Sequence, residues 1–192
     1  MYRIPANRGF TLIELLITIA IAALLLTLAV PSMLSTIEGS AVNRHVTTFI
    51  SALRYARSEA IRTGVPVVMC RSANSESATP TCTTASGGWE TGWLIFVNRD
   101  LDASNNYSSS GNDSLLRVQG VLSDSGGILK TSGAAVNKFV FRPTGLLSAG
   151  AASFTFNSAS LNGAQQKLVC ISMQGRARIL SDSNASCTGS DS

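Results

Sequence analysis

The chain has 192 residues, of which 45% are hydrophobic and 14% charged, and its 15 basic and 11 acidic residues give a formal net charge of +4. That length suits one domain with a sizeable core and argues against a multidomain enzyme, while normal apolar content with small net charge excludes a wholly disordered chain. Twelve of the basic residues are arginine, a bias that suits bidentate contact with phosphate or carboxylate but also serves ordinary surfaces, so charge alone assigns no partner.

Residues 1–9 carry Arg3 and Arg8 and no acid, and residues 10–30 are apolar apart from Thr11, Glu14, Thr18 and Thr27. Such a run is about long enough to cross a bilayer, and the positive flank predicts that residues 1–9 stay on the cytoplasmic side. Val30-Pro31-Ser32 is a poor signal-peptidase site, so the segment is expected to be retained. Glu14 is costly in such a helix unless paired, and is therefore read as functional. Pro31 predicts a kink or local melting. Beyond it, Val42, Val46, Phe49, Leu53, Ala56 and Ala60 recur at steps of three and four, the apolar face of a helix that should end near Gly64, with Pro66 as a stop signal; Arg44 and Arg62 point the opposite way.

After Gly64 the period changes. Segments 65–70, 93–97, 115–121, 138–142, 152–157, 167–173 and 176–180 read as short strands, and 72–88 and 98–114 as exposed polar loops of variable conformation. Four cysteines allow three connectivities. Cys70–Cys82 with Cys170–Cys187 is the expected one, because each bond closes a short polar loop, and it implies an oxidising compartment. No C-x-x-C occurs and His45 is the only histidine, so zinc is not expected. His45 reads as a solvated or helix-packed residue. No G-x-S-x-G, phosphate loop or H-E-x-x-H is present, and the chain is read as no enzyme, without cofactor or metal. Asp100, Asp102, Ser104 and Asn106 alternate oxygen ligands and invite a calcium reading, but Asn105 and Gly111 replace the glycine and glutamate of an EF-hand loop, so a solvated loop is preferred.

In Gly175-Arg176-Ala177-Arg178 a strand would put both arginines on one face, with Ala177 and Ile179 toward the core. Two aligned guanidinium groups suit backbone phosphates; a pair of solubilising edge-strand arginines is the plainer reading. Lys138, Arg142 and Lys167 are weaker candidates by strand position.

The run Arg8-Gly9-Phe10-Thr11-Leu12-Ile13-Glu14-Leu15-Leu16 resembles the processing site of type IV prepilins and type II secretion pseudopilins. In order along the rest of the chain, Gly87-Gly88-Trp89-x-x-Gly92-Trp93-Leu94-Ile95-Phe96-Val97, Phe139-x-Phe141-x-Pro143-x-Gly145 and Val169-Cys170-Ile171-Ser172-x-x-Gly175-Arg176-x-Arg178 are similar to the strand signatures of the GspH/FimT group of minor pilins, most like FimT. The resemblance implies an α+β type IV pilin fold, a long N-terminal helix with a transmembrane lower half packed against a C-terminal antiparallel β-rich head. It implies a leader at 1–9, a membrane and fibre-core helix at 10–35 and a periplasmic or extracellular head at 36–192. It further implies cleavage after Gly9 by a prepilin peptidase, methylation of Phe10, and pairing of Glu14 with the terminal amine of a neighbouring pilin. Such a subunit waits in the inner membrane, then enters an extracellular pilus. The G-R-x-R motif implies binding of double-stranded DNA, without sequence specificity, for uptake in natural transformation. The alternative is a FimU- or GspH-like subunit that primes pilus or pseudopilus assembly without binding DNA; a membrane-anchored periplasmic enzyme is a distant third.

Overall fold

A computed structural model describes residues 10–101, 104–133, 137–149, 151–160, 165–180 and 187, with only the backbone described at 28–32, 130 and 132–133. The chain divides into two compact units, Met1–Ile37 and Glu38–Ser192. Helix α1 spans Leu12–Thr63.

The helix begins in a capping box. Thr11 donates its backbone N–H (3.0 Å) and hydroxyl (2.9 Å) to the Glu14 carboxylate, and the Glu14 N–H returns to Thr11 Oγ1 at 3.3 Å, so donors that no helical carbonyl can reach are satisfied locally. Within the first unit Leu12, Ile13, Leu15, Leu16, Ile17, Ile19, Ile21 and Leu24 are all exposed. The melting expected at Pro31 is not observed: the helix continues through it. A proline removes only its own N–H bond, and an established helix can carry that loss. Among the described residues no helix is long and apolar enough to cross a membrane.

In the second unit α1 ends where expected. Gly64 takes φ 67° and its N–H reaches the Ala60 carbonyl at 3.1 Å, a left-handed stop that a residue without Cβ adopts at no steric cost. Eight strands follow among the described residues: β1 Val67–Arg71, β2 Trp93–Val97, β3 Ser114–Gln119, β4 Ser125–Gly133, β5 Lys138–Phe141, β6 Ala152–Ser158, β7 Lys167–Ile171 and β8 Ala177–Leu180. They form two antiparallel sheets in the orders β3-β2-β1-β5 and β4-β6-β7-β8.

The buried face of α1 is the one that the spacing implies, from Val42 through Val46, Phe49, Leu53 and Ala56 to Ala60. Phe49 meets rings from both sheets: Trp93 and Phe139 at 5.6 and 6.1 Å between centroids, and Phe154 and Phe156 at 5.7 and 5.5 Å. Trp89, in the short 3-10 turn before β2, completes the cluster at 5.3 Å. These mostly tilted and edge-on arrangements suit the aromatic quadrupole.

Three expectations change. Strand β4 was not anticipated. Arg176 precedes β8, and Ile179 is 46% exposed: β8 is an edge strand with one open face, so only half-buried Ala177 packs on the core. The two polar loops do not simply face solvent. Val68, Cys70, Leu94 and Phe96 make a second apolar cluster, against which Cys82 and Tyr107 of those loops pack, so the loops cover an otherwise wet sheet face. The Cys70–Cys82 bond (Cα–Cα 5.6 Å) and the buried Arg71 guanidinium, donating to the Ala85 and Gly87 carbonyls, hold the first loop. Cys170 is bonded to Cys187, with Cα atoms 5.7 Å apart.

Candidate functional site

The turn between β7 and β8 is closed by the Ser172 N–H on the Arg176 carbonyl and the Gly175 N–H on the Ser172 carbonyl, each at 2.9 Å. Gly175 has φ 69°, and a Cβ there would stand 2.7 Å from Phe141 Cε1. The turn therefore requires glycine twice, for backbone conformation and for space. It projects Arg176 into solvent at the mouth of β8, with Arg178 exposed two residues further on.

Beside this turn lies a cleft of about 530 Å³, lined by Arg54, Arg57, Ser58 and Ile61 of α1 and by Gly175, Arg176 and Ala177. Arg57 sits between two left-handed glycines. A Cβ on Gly145 (φ 79°) would be 3.1 Å from its Nε, and one on Gly175 would be 3.5 Å from its Cδ. Its Nε is buried and has no hydrogen-bond partner. Among the described residues the wall holds three guanidinium groups and no carboxylate. Other arginines of α1 are neutralised: Arg44 pairs with Asp124, and Arg62 with Glu59 at 2.6 Å.

Of the residues expected to bind DNA, Gly175 and Arg176 belong to this cleft and Arg178 lies on the adjoining strand. Arg142 stands in the 142–146 turn, whose Gly145 closes on the Arg142 carbonyl at 2.8 Å and abuts Arg57 and Ile61. Lys167 opens β7 opposite Phe156 and does not line the cleft. Lys138 is engaged elsewhere: on β5, in the other sheet, its ammonium donates to the Ser104 carbonyl (2.5 Å) and to Asn106 Oδ1 (3.1 Å). Of the side-chain oxygens in the calcium reading, Asn106 Oδ1 is thus already taken by an ammonium. Asp102 lies outside the described residues, among which no group of histidine, cysteine or acidic side chains could hold a metal.

Arg54 and Arg57 were missed. The available signal was their spacing of three on a helix, beside the apolar positions Leu53, Ala56 and Ala60; what spacing could not supply is that the 142–146 and 172–176 turns meet that edge of the helix. His45 is buried, with Nε2 2.8 Å from Asp124 Oδ1. Desolvation pushes the Asp124 carboxyl up, but the His45 hydrogen bond and the charges of His45 and Arg44 outweigh it and hold that carboxyl below its usual range. This is a structural tether between α1 and the loop before β4. At the other end of the chain Phe10 is exposed, Glu14 serves the capping box, and Gly9 lies outside the described residues.

The family model described as type II transport protein GspH matches residues 45–175, more than half of the chain. A model of the prokaryotic N-terminal methylation motif matches residues 4–30. No curated protein matches significantly. Among solved structures, two crystal forms of the type IV minor pilin FimU of Pseudomonas aeruginosa are similar. One superposes with TM-score 0.52 at 20% identity, covering 78% of this chain and 98% of that one; the other gives 0.51 at 19%, covering 78% and 93%. At that identity the likeness establishes the fold, an N-terminal helix with antiparallel sheets of the type IV pilin kind.

Proposed function

The chain belongs to the GspH family, and from that premise we propose that it is a minor pilin that enters a pilus and binds extracellular double-stranded DNA for uptake. The observation that carries the DNA reading is the pair of exposed arginines at the β7–β8 turn, Arg176 and Arg178, with Arg54 and Arg57 of α1 lining the cleft beside Arg176. Phosphates of any sequence satisfy guanidinium forks equally, so binding is sequence-independent. Cleavage after Gly9, methylation of Phe10 and retention of residues 10–30 as a membrane and fibre-core helix belong to the same proposal, supported by the methylation-motif match. The chain is then a substrate of a prepilin peptidase and acts by binding and assembly.

The test is titration of the full-length protein in detergent with duplex DNA at several salt concentrations. If Arg176 and Arg178 each neutralise a phosphate, Arg176→Gln with Arg178→Gln weakens all sequences alike and lowers the salt slope by roughly 2, about 0.9 per phosphate contact. A folded double variant with unchanged affinity and slope would transfer the arginines to a structural role. The second reading, a subunit that primes fibre or pseudopilus assembly, is favoured by the description of the family as type II transport proteins and by the likeness to FimU.

A further inference from the structure

Arg57 is a cation in an unusual setting. It is half-buried, its stem is clamped between the Gly145 and Gly175 turns, and its buried Nε has no partner. No carboxylate among the described residues stands in the cleft with it. A partly desolvated guanidinium without a counter-charge is costly, and a bound anion offsets that cost. Because the stem is fixed by packing, little further ordering is lost when an anion arrives.

The cleft has the size of a small-ligand pocket, about 530 Å³, which admits one nucleotide and is far too small for a duplex about 20 Å wide, given that its major groove alone spans about 12 Å. Its wall is mixed: Arg54 and Arg176 bring charge, and Ile61, 53% exposed, and Ala177 bring apolar surface. Duplex phosphates can reach exposed Arg176 from outside, whereas a phosphate on recessed Arg57 must leave the regular path of a duplex backbone.

We propose that this cleft seats a single nucleotide of an unpaired strand, its phosphate on Arg57 flanked by Arg54 and Arg176, and its sugar or base against Ile61. This rests on the DNA reading above and adds to it a preference for single-stranded ends.

The experiment compares two DNAs with equal numbers of phosphates, a blunt duplex and a shorter duplex with a single-stranded overhang, both titrated against the full-length protein in detergent. The native protein should bind the overhang roughly tenfold tighter, as for one charge-assisted phosphate contact. Arg57→Gln should bring the ratio of the two affinities close to one, Arg57→Lys should restore part of it, and Arg54→Gln, at an exposed position, should lower it without loss of fold. Equal binding of both DNAs by the native protein, or a preference that survives Arg57→Gln in a folded protein, overturns the cleft proposal and leaves the DNA reading standing. Failure to bind either DNA overturns both.

Discussion

Gly175 concentrates two demands on one residue, a left-handed backbone and the absence of a Cβ beside Phe141. Gly175→Ala should therefore cost about 1–3 kcal/mol, more than a surface substitution, through strain at φ 69° together with displacement of the Phe141 ring. Urea unfolding followed by emission of buried Trp89 and Trp93 would measure this; an unchanged midpoint would show that the turn relaxes freely. The same residue explains why Arg176 could be read from the sequence and Arg57 could not. Gly175-Arg176-Ala177-Arg178 is contiguous and carries its motif with it. Arg57 acquires its setting from Gly145 and Gly175, which are far away in sequence, and helical spacing says which side of α1 is apolar without saying what borders it.

At the scale of elements, α1 was legible because its side chains repeat with the helical period over many residues, and its stop at Gly64 because glycine there has a conformational reason. Strand β4 was not legible. Ser125-Gly126-Gly127-Ile128-Leu129-Lys130-Thr131-Ser132-Gly133 offers little intrinsic strand preference. Its order comes from elsewhere, through pairing with β6 and through the Glu90 carboxylate, which accepts the Ile128 N–H at 2.8 Å. A Cβ at Gly126 would collide with the Ser158 carbonyl, so the residue that lowers strand propensity is also the one that lets the two backbones approach. The polar loops were misjudged for a related reason: composition reports their solvent-loving residues, while Cys82 and Tyr107, few in number, do the covering. The Cys70–Cys82 bond should accordingly matter beyond loop entropy. Replacing both cysteines by serine should remove about 3 kcal/mol from closure of the 12-residue separation, plus part of the packing against Phe96 and Leu94. A midpoint shift well below that in reversible urea unfolding would mean that the loop holds its place through Arg71 alone.

For the whole molecule, Glu14 links the single chain to the proposed fibre. In isolation its carboxylate is satisfied by Thr11 of the same chain, so a neighbour's terminal amine must outcompete a local N–H and hydroxyl; an ammonium can do so because charge-assisted bonds are about twice as strong as neutral ones. Glu14→Ala should leave the protein in membranes, since it removes a charge from an apolar segment, and should deplete it from sheared pili. Native amounts of the variant in those pili would end the pairing proposal.

The aromatic cluster around Phe49 also sets a timetable. Phe49 is made early in synthesis, yet Phe139, Phe154 and Phe156, three of the rings that surround it, lie about 90 to 107 positions downstream. Neither sheet can enclose the helix face until those rings have been synthesised, and contacts so distant in sequence form slowly. The residues of α1 are thus made well before the body that follows them has a closed interior, so the cleavage and methylation proposed above need not wait for the head to fold.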